Sequence, residues 1–164
     1  MPVPKLAIGA LLALCGLAQA APSLCRAGAE REVFSCQAGR KTISVCAESA
    51  PSRQKQLAYR YGRPGHPELS IVQPVAAQAA GVFVGLITVS GGGGTTLRFH
   101  SDGHDYTVYS FTSAALGDKA GVTVAAAGKR IANVHCRDEP QPDLDHDGLV
   151  RSGVAADAES FQLP

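Results

Sequence analysis

Tryptophan is absent from this 164-residue chain, methionine occurs once, and aromatic residues make up only 5%. Any core must therefore be built mainly from aliphatic and small side chains, with Phe and Tyr as scarce anchors. An excess of one charge is missing too: 15 Lys and Arg stand against 14 Asp and Glu. That balance excludes a general electrostatic attraction to nucleic acid or anionic lipid. There is no G-x-S-x-G nucleophile elbow. Gly91–Gly94 with Thr95-Thr96 is no P-loop, because it lacks the lysine and opens a strand rather than a helix. What abounds is glycine (18) and proline (10), a composition that suits short strands joined by many turns.

Residues 1–20 carry the marks of an export signal. Lys5 supplies a positive start, Leu6 to Leu17 is apolar, and Ala18-Gln19-Ala20 is an A-x-A cleavage site. The apolar run is too short to act as a stop-transfer helix, so cleavage before Ala21 and a periplasmic or secreted product are expected. Leu12-Ala13-Leu14-Cys15-Gly16 has the outline of a lipobox, but Leu14 is bulky where a small residue is needed and Cys15 lies inside the apolar segment. Cleavage would leave about 144 residues, one ordinary domain, with 14 Lys and Arg against 14 Asp and Glu.

The remaining cysteines are Cys25, Cys36, Cys46 and Cys136. An even number in an exported chain reads as two disulfides with three connectivities open, and the spacing does not fit a zinc site. A hairpin turning at Ala38-Gly39 would set Cys36 near Lys41 or Thr42, leaving Cys46 about 14 Å along the ladder. A disulfide needs Cα atoms within about 7 Å, which disfavours Cys36–Cys46. Two pairings remain open, of which Cys25–Cys46 with Cys36–Cys136, joining the last strand to the first, is the one favoured.

Strand patterns recur every ten or so residues, as in an all-β antiparallel sandwich or barrel of about nine strands. The segments are 32–36, 41–46, 57–61, 68–72, 82–89, 97–101, 104–108, 122–126 and 130–136. Val82–Val89 is nearly all apolar and reads as buried on both faces. Gly62 to Pro67 and Gly91 to Gly94 read as breaks in the ladder, and Ala76–Ala80 as a helical turn. Asp102-Gly103 is a type I′ turn signal. It sets Phe99 opposite Tyr106 and Leu97 opposite Val108, with Arg98, His100, Asp105 and Thr107 on the other face. A second turn falls at Gly128-Lys129. Residues 137–164 are acidic, proline-bearing and weakly patterned, and read as a tail.

Three constellations carry candidate chemistry. Asp143-Leu144-Asp145-His146-Asp147-Gly148-Leu149 matches the first half of a calcium loop, with Asp143, Asp145, Asp147 and the Leu149 carbonyl as ligands. The second half departs from that pattern, since Val154 stands where a bidentate carboxylate belongs. Calcium is the one cofactor the sequence suggests. His100 and Asp105 are cross-strand partners resembling half of a catalytic relay, without a recognisable nucleophile; such polar pairs are also ordinary sheet chemistry. His66 and His135 read as structural. Alternation puts Tyr59 and Tyr61 on one face and Arg60 on the other, so half of this segment reads as core; if the tyrosines face solvent instead, Tyr59, Tyr61 and Arg63 form the aromatic–basic cluster best suited to bind a protein.

Val33 to Cys36, Ile43 to Cys46, Tyr59 to Gly65 with Glu68-Leu69, and Phe99 to Ser110 with Gly121 to Val124 and Cys136 are similar to a family of small, uncharacterised exported bacterial proteins. The resemblance covers residues 31–136, leaves out the Asp143–Gly148 segment, and implies no activity. Residue patterns and resemblance together lead to a non-enzymatic, disulfide-stapled β domain. It would be a protein-binding or inhibitory module of the cell envelope, with an envelope or extracellular protein as partner. It would not bind nucleic acid or insert into a membrane after cleavage. A calcium-stabilised envelope structural protein is the alternative, and a hydrolase using His100 and Asp105 ranks last.

Overall fold

The computed structural model describes residues 23–49, 55–75 and 81–164. The expected signal, its cleavage site and the Ala76–Ala80 turn lie outside them. Two sheets form, each built in chain order. The first contains β1 (Glu30–Ala38), β2 (Lys41–Glu48), β3 (Gln56–Arg63) and β4 (His66–Pro74). The second contains β5 (Val82–Val89), β6 (Gly92–Ser101), β7 (His104–Thr112), β8 (Lys119–Ala126) and β9 (Lys129–His135). A short helix, α1 (His146–Ser152), and β10 (Ala155–Ala156) follow, and β10 adds a parallel edge to β5. All other pairs are antiparallel, and among the described residues the sheets stay separate, which makes the fold a sandwich rather than a closed barrel.

Alternation decides the core. Phe34, Val45, Tyr59 and Ile71 sit abreast across the first sheet and meet Val84, Leu97, Phe99, Val108 and Val122 of the second. Tyr59 packs on Phe99 with ring centroids 5.9 Å apart. The opposite face of the first sheet buries Ser35, Ser44 and Arg60 instead. Residues 24–30 lie over that face: the Leu24 amide donates to Ser44 Oγ, and Arg60 donates to the Leu24 carbonyl and to both oxygens of Glu30. The expected disulfides form, Cys25–Cys46 and Cys36–Cys136, with Cα atoms 5.5 and 5.7 Å apart. Chain-entropy arguments assign about 3 kcal/mol to the shorter loop and between 4 and 5 kcal/mol (roughly) to the longer.

Four expectations need correcting. The β3–β4 ladder continues through Gly62–Pro67 and turns only at Pro64-Gly65. Pro67 is tolerated there because β4 is an edge strand, where a missing N–H costs no ladder bond. The glycine run is not a break either, since Gly92 to Gly94 lie inside β6. A Cβ on Gly94 would strike the Ser110 carbonyl and the Phe111 backbone, so glycine lets Phe111 close over the strand. β5 is not buried throughout: Val82 and Val84 face the main core, Ile87 joins Tyr109 and Phe111 on the other face, and Leu86 is 67% exposed.

The fourth correction concerns residues 137–164, which do not form a solvated tail. Residues 137–142 run beside β1, where the Arg137 and Gln141 amides donate to the Gln37 and Ser35 carbonyls. Leu144, Leu149 and Val154 then enter the main core. Beyond β10, Asp157 binds Arg98 through both carboxylate oxygens, and Phe161 stacks on Tyr109 at 5.5 Å. This strand-poor segment contributes hydrophobic burial that its acidic composition conceals.

Candidate functional site

The tyrosine cluster expected to bind a partner is not assembled on the surface. Tyr59 is 2% exposed, because its place in the β3 alternation points it into the sandwich. Burial also drives its hydroxyl pKa well above the ordinary range. Tyr61 is half-buried under Lys41, whose ammonium lies 4.8 Å from the ring centroid and pairs with Glu68 at 2.6 Å. Of the three residues only Arg63 is exposed.

The Asp143–Leu149 segment also takes on other tasks. Asp145 caps α1, accepting from the Gly148 amide at 3.0 Å. Leu144 before the cap and Leu149 in the first turn are both buried, which is a hydrophobic staple. Gly153 (φ 99°) closes the other end, and the Leu149 carbonyl accepts from the Val154 amide and the Ser152 hydroxyl. Asp143 accepts from Ser110 Oγ and Asp147 bonds His146. The segment therefore folds as a helix start, and the carboxylates of Asp143, Asp145 and Asp147 do not gather within 4.8 Å of one another. The only such three-residue group among the described residues pairs Glu30 with Cys25 and Cys46, whose sulfurs are committed to a disulfide.

The hairpin pair does form. His100 Nδ1 lies 2.9 Å from Asp105 Oδ1, in the register set by the Asp102-Gly103 turn. The third member is Arg98, whose Nη1 reaches the same oxygen at 3.2 Å while its other nitrogens hold Asp157. Burial pushes the Asp157 carboxyl pKa up, but hydrogen bonds from Arg98 and the Glu159 amide outweigh it and hold the group below its usual range. Among the described residues no hydroxyl bonds to His100, so the cluster is a charge network tying the C-terminal segment to the sheet. His135 bonds the Tyr109 hydroxyl at 3.0 Å, a structural role, and His66 is exposed at the start of β4.

A different place has the makings of a site. A β-bulge in β1 pairs Glu32 with Cys46 and Phe34 with Val45, leaving Val33 as the extra residue. Bulges re-aim side chains, and here Glu32 and Val33 both face a cavity of about 500 Å³ between the end of the first sheet and the α1 segment. Val33, Ala47, Leu57, Val75 and Leu149 supply its apolar wall. Four acidic residues, Glu32, Glu48, Asp143 and Asp145, line it against Arg31 and Lys55. Glu32 Oε1 is buried and has no hydrogen-bond partner among the described residues. A buried carboxylate oxygen without a donor is costly, which makes it the strongest local sign of an absent ligand. The only trace of this in the sequence is Val33-Phe34, two adjacent apolar residues that interrupt the strand alternation.

The chain matches no known protein family, no curated protein and no solved structure. What the site can do is therefore read from its own geometry.

Proposed function

We propose that the protein is a binding domain of an extracytoplasmic compartment, a protein-binding or inhibitory module whose recognition site is the Glu32 cavity. One observation carries this reading: a concave, apolar-walled space is lined by a glutamate with a buried oxygen that has no hydrogen-bond partner among the described residues. The two disulfides suit an oxidising environment, and no described helix is long and apolar enough to cross a membrane. The sandwich supplies a stiff frame, since both sheets and the C-terminal segment share one core cluster. A preformed cavity in a stapled frame loses little conformational entropy on binding.

Ser49 stands exposed at the cavity rim, so a large side chain there obstructs the mouth without entering the core. Envelope extract passed over immobilised wild-type protein and over Ser49→Trp tests the reading. Proteins retained by the wild type and lost from the variant, at equal melting temperature, are expected. Identical retention by both would place recognition elsewhere on the molecule.

A further inference from the structure

We infer that the cavity takes a primary ammonium group carried on an aliphatic chain, with Glu32 Oε1 as its acceptor. This rests on the cavity being the recognition site. Glu32 is held in the cavity by the β1 bulge, and among the described residues no cation pairs with it. Lys55 Nζ donates to the Ser152 carbonyl at 3.3 Å. Arg26 and Arg60 are both bound to Glu30. Arg31 is exposed at the rim. A cation from outside would supply the missing donor, and the acidic excess of the lining would favour its entry.

Two features narrow the class. Oε1 is the only buried side-chain polar atom without a partner among the described residues, and one buried acceptor suits the point charge of an ammonium, whereas a guanidinium is best matched by a pair of acceptors. A metal ion fits poorly, because Glu32 belongs to no group of three or more ligand atoms within 4.8 Å among the described residues. The wall of Val33, Leu57, Val75 and Leu149 calls for methylene groups behind the charge. A free aliphatic amine and the lysine side chain of a partner protein share this chemistry.

Calorimetric titration of the oxidised protein decides the matter, with n-pentylammonium, Nα-acetyl-lysine methylamide, n-pentanol, n-pentanoate and calcium chloride as probes. Both ammonium probes should bind at least tenfold more tightly than the alcohol or the carboxylate. Tighter binding of the lysine amide would identify a protein side chain as the source, and tighter binding of pentylammonium a free amine. Glu32→Gln and Glu32→Leu should each lose tenfold or more in ammonium affinity. Because the lost carboxylate was unpartnered, Glu32→Leu should melt at or above the parent temperature, which a merely structural glutamate would not allow. Equal binding of pentanol, indifference to Glu32→Gln, or a response to calcium alone would overturn the ammonium assignment and leave the cavity as a site. Binding of no probe, together with an inert Ser49→Trp, would remove both.

Discussion

Glu30 shows what a single buried carboxylate does when the fold supplies its partners. It is 3% exposed at the side chain and Arg60 is 7% exposed, and they meet at 2.6 Å with Arg26 closing the other side. Hydrogen bonds from Arg60, against the opposing effect of burial and with help from Arg26, hold the Glu30 carboxyl at about 2, below its ordinary 4.5. A carboxyl whose pKa falls on folding stabilises the native state above the unfolded value, and that stability is lost as pH drops toward the folded value. Urea unfolding should therefore show the parent losing on the order of 2–3 kcal/mol from this group between pH 5 and pH 2. Glu30→Gln should be weaker at pH 6, because it leaves Arg60 buried without its counter-charge. It should also lose less than the parent on acidification. Parallel pH profiles for the two proteins would refute this role. Glu32, two residues away, has the same chemistry without partners among the described residues. That contrast is why one glutamate reads as structure and the other as a site.

At the scale of elements, the β6–β7 hairpin is where local and tertiary information agree. Asp102 and Gly103 have φ values of 48° and 71°, the positive pair that a type I′ turn requires. The register they set is the one alternation predicts, Phe99 with Tyr106 and Leu97 with Val108. A Cβ at Gly103 meets nothing within 4 Å, so Gly103→Val should cost about 1–3 kcal/mol by backbone strain alone. Gly94→Ala should cost more although its backbone is unstrained, because the methyl must displace the Ser110 carbonyl and Phe111. Thermal unfolding of the two variants side by side checks the order; a silent Gly94→Ala would mean that Phe111 does not close over β6. The turn was legible from a dipeptide. The close approach at Gly94 was not, because Phe111 lies in the next strand.

At the scale of the whole molecule, the C-terminal segment decides whether the sandwich has a closed end. It covers the β1 edge, inserts Leu144, Leu149 and Val154 into the core, and ends on the outer face of the second sheet. Leu149→Ala should therefore destabilise the protein by about 2–4 kcal/mol, the range for truncating a buried leucine. In a solvated tail the same substitution would cost less than about 0.5 kcal/mol. The urea midpoint separates these outcomes, and a shift within error would return residues 137–164 to the status of an appendage. The same segment forms one wall of the Glu32 cavity, so site and stability are linked through α1.

Alternation, turn dipeptides and an even cysteine count were enough by themselves to indicate an all-β chain, most of its strands, the β6–β7 register and the presence of two disulfides; which cysteines pair was decided by the tertiary structure. These are short-range patterns whose period or stereochemistry is written in neighbouring residues. The misreadings arose where a residue's role depends on something distant in sequence. For Tyr59 alternation leaves two places open, the core and a solvent-facing anchor; packing against Phe99 of the other sheet selects the core. Asp143–Leu149 fits both a calcium loop and a capped helix, since both begin with closely spaced aspartates near a glycine. Burial of Leu144 and Leu149 in a core made by the other strands selects the helix. Beside Glu32 the sequence shows only the Val33-Phe34 break in alternation, which does not mark the glutamate itself. Its burial without a partner arises only when the β1 bulge, the end of the first sheet and the returning C-terminal segment enclose the same space, and local sequence holds no record of that long-range coincidence.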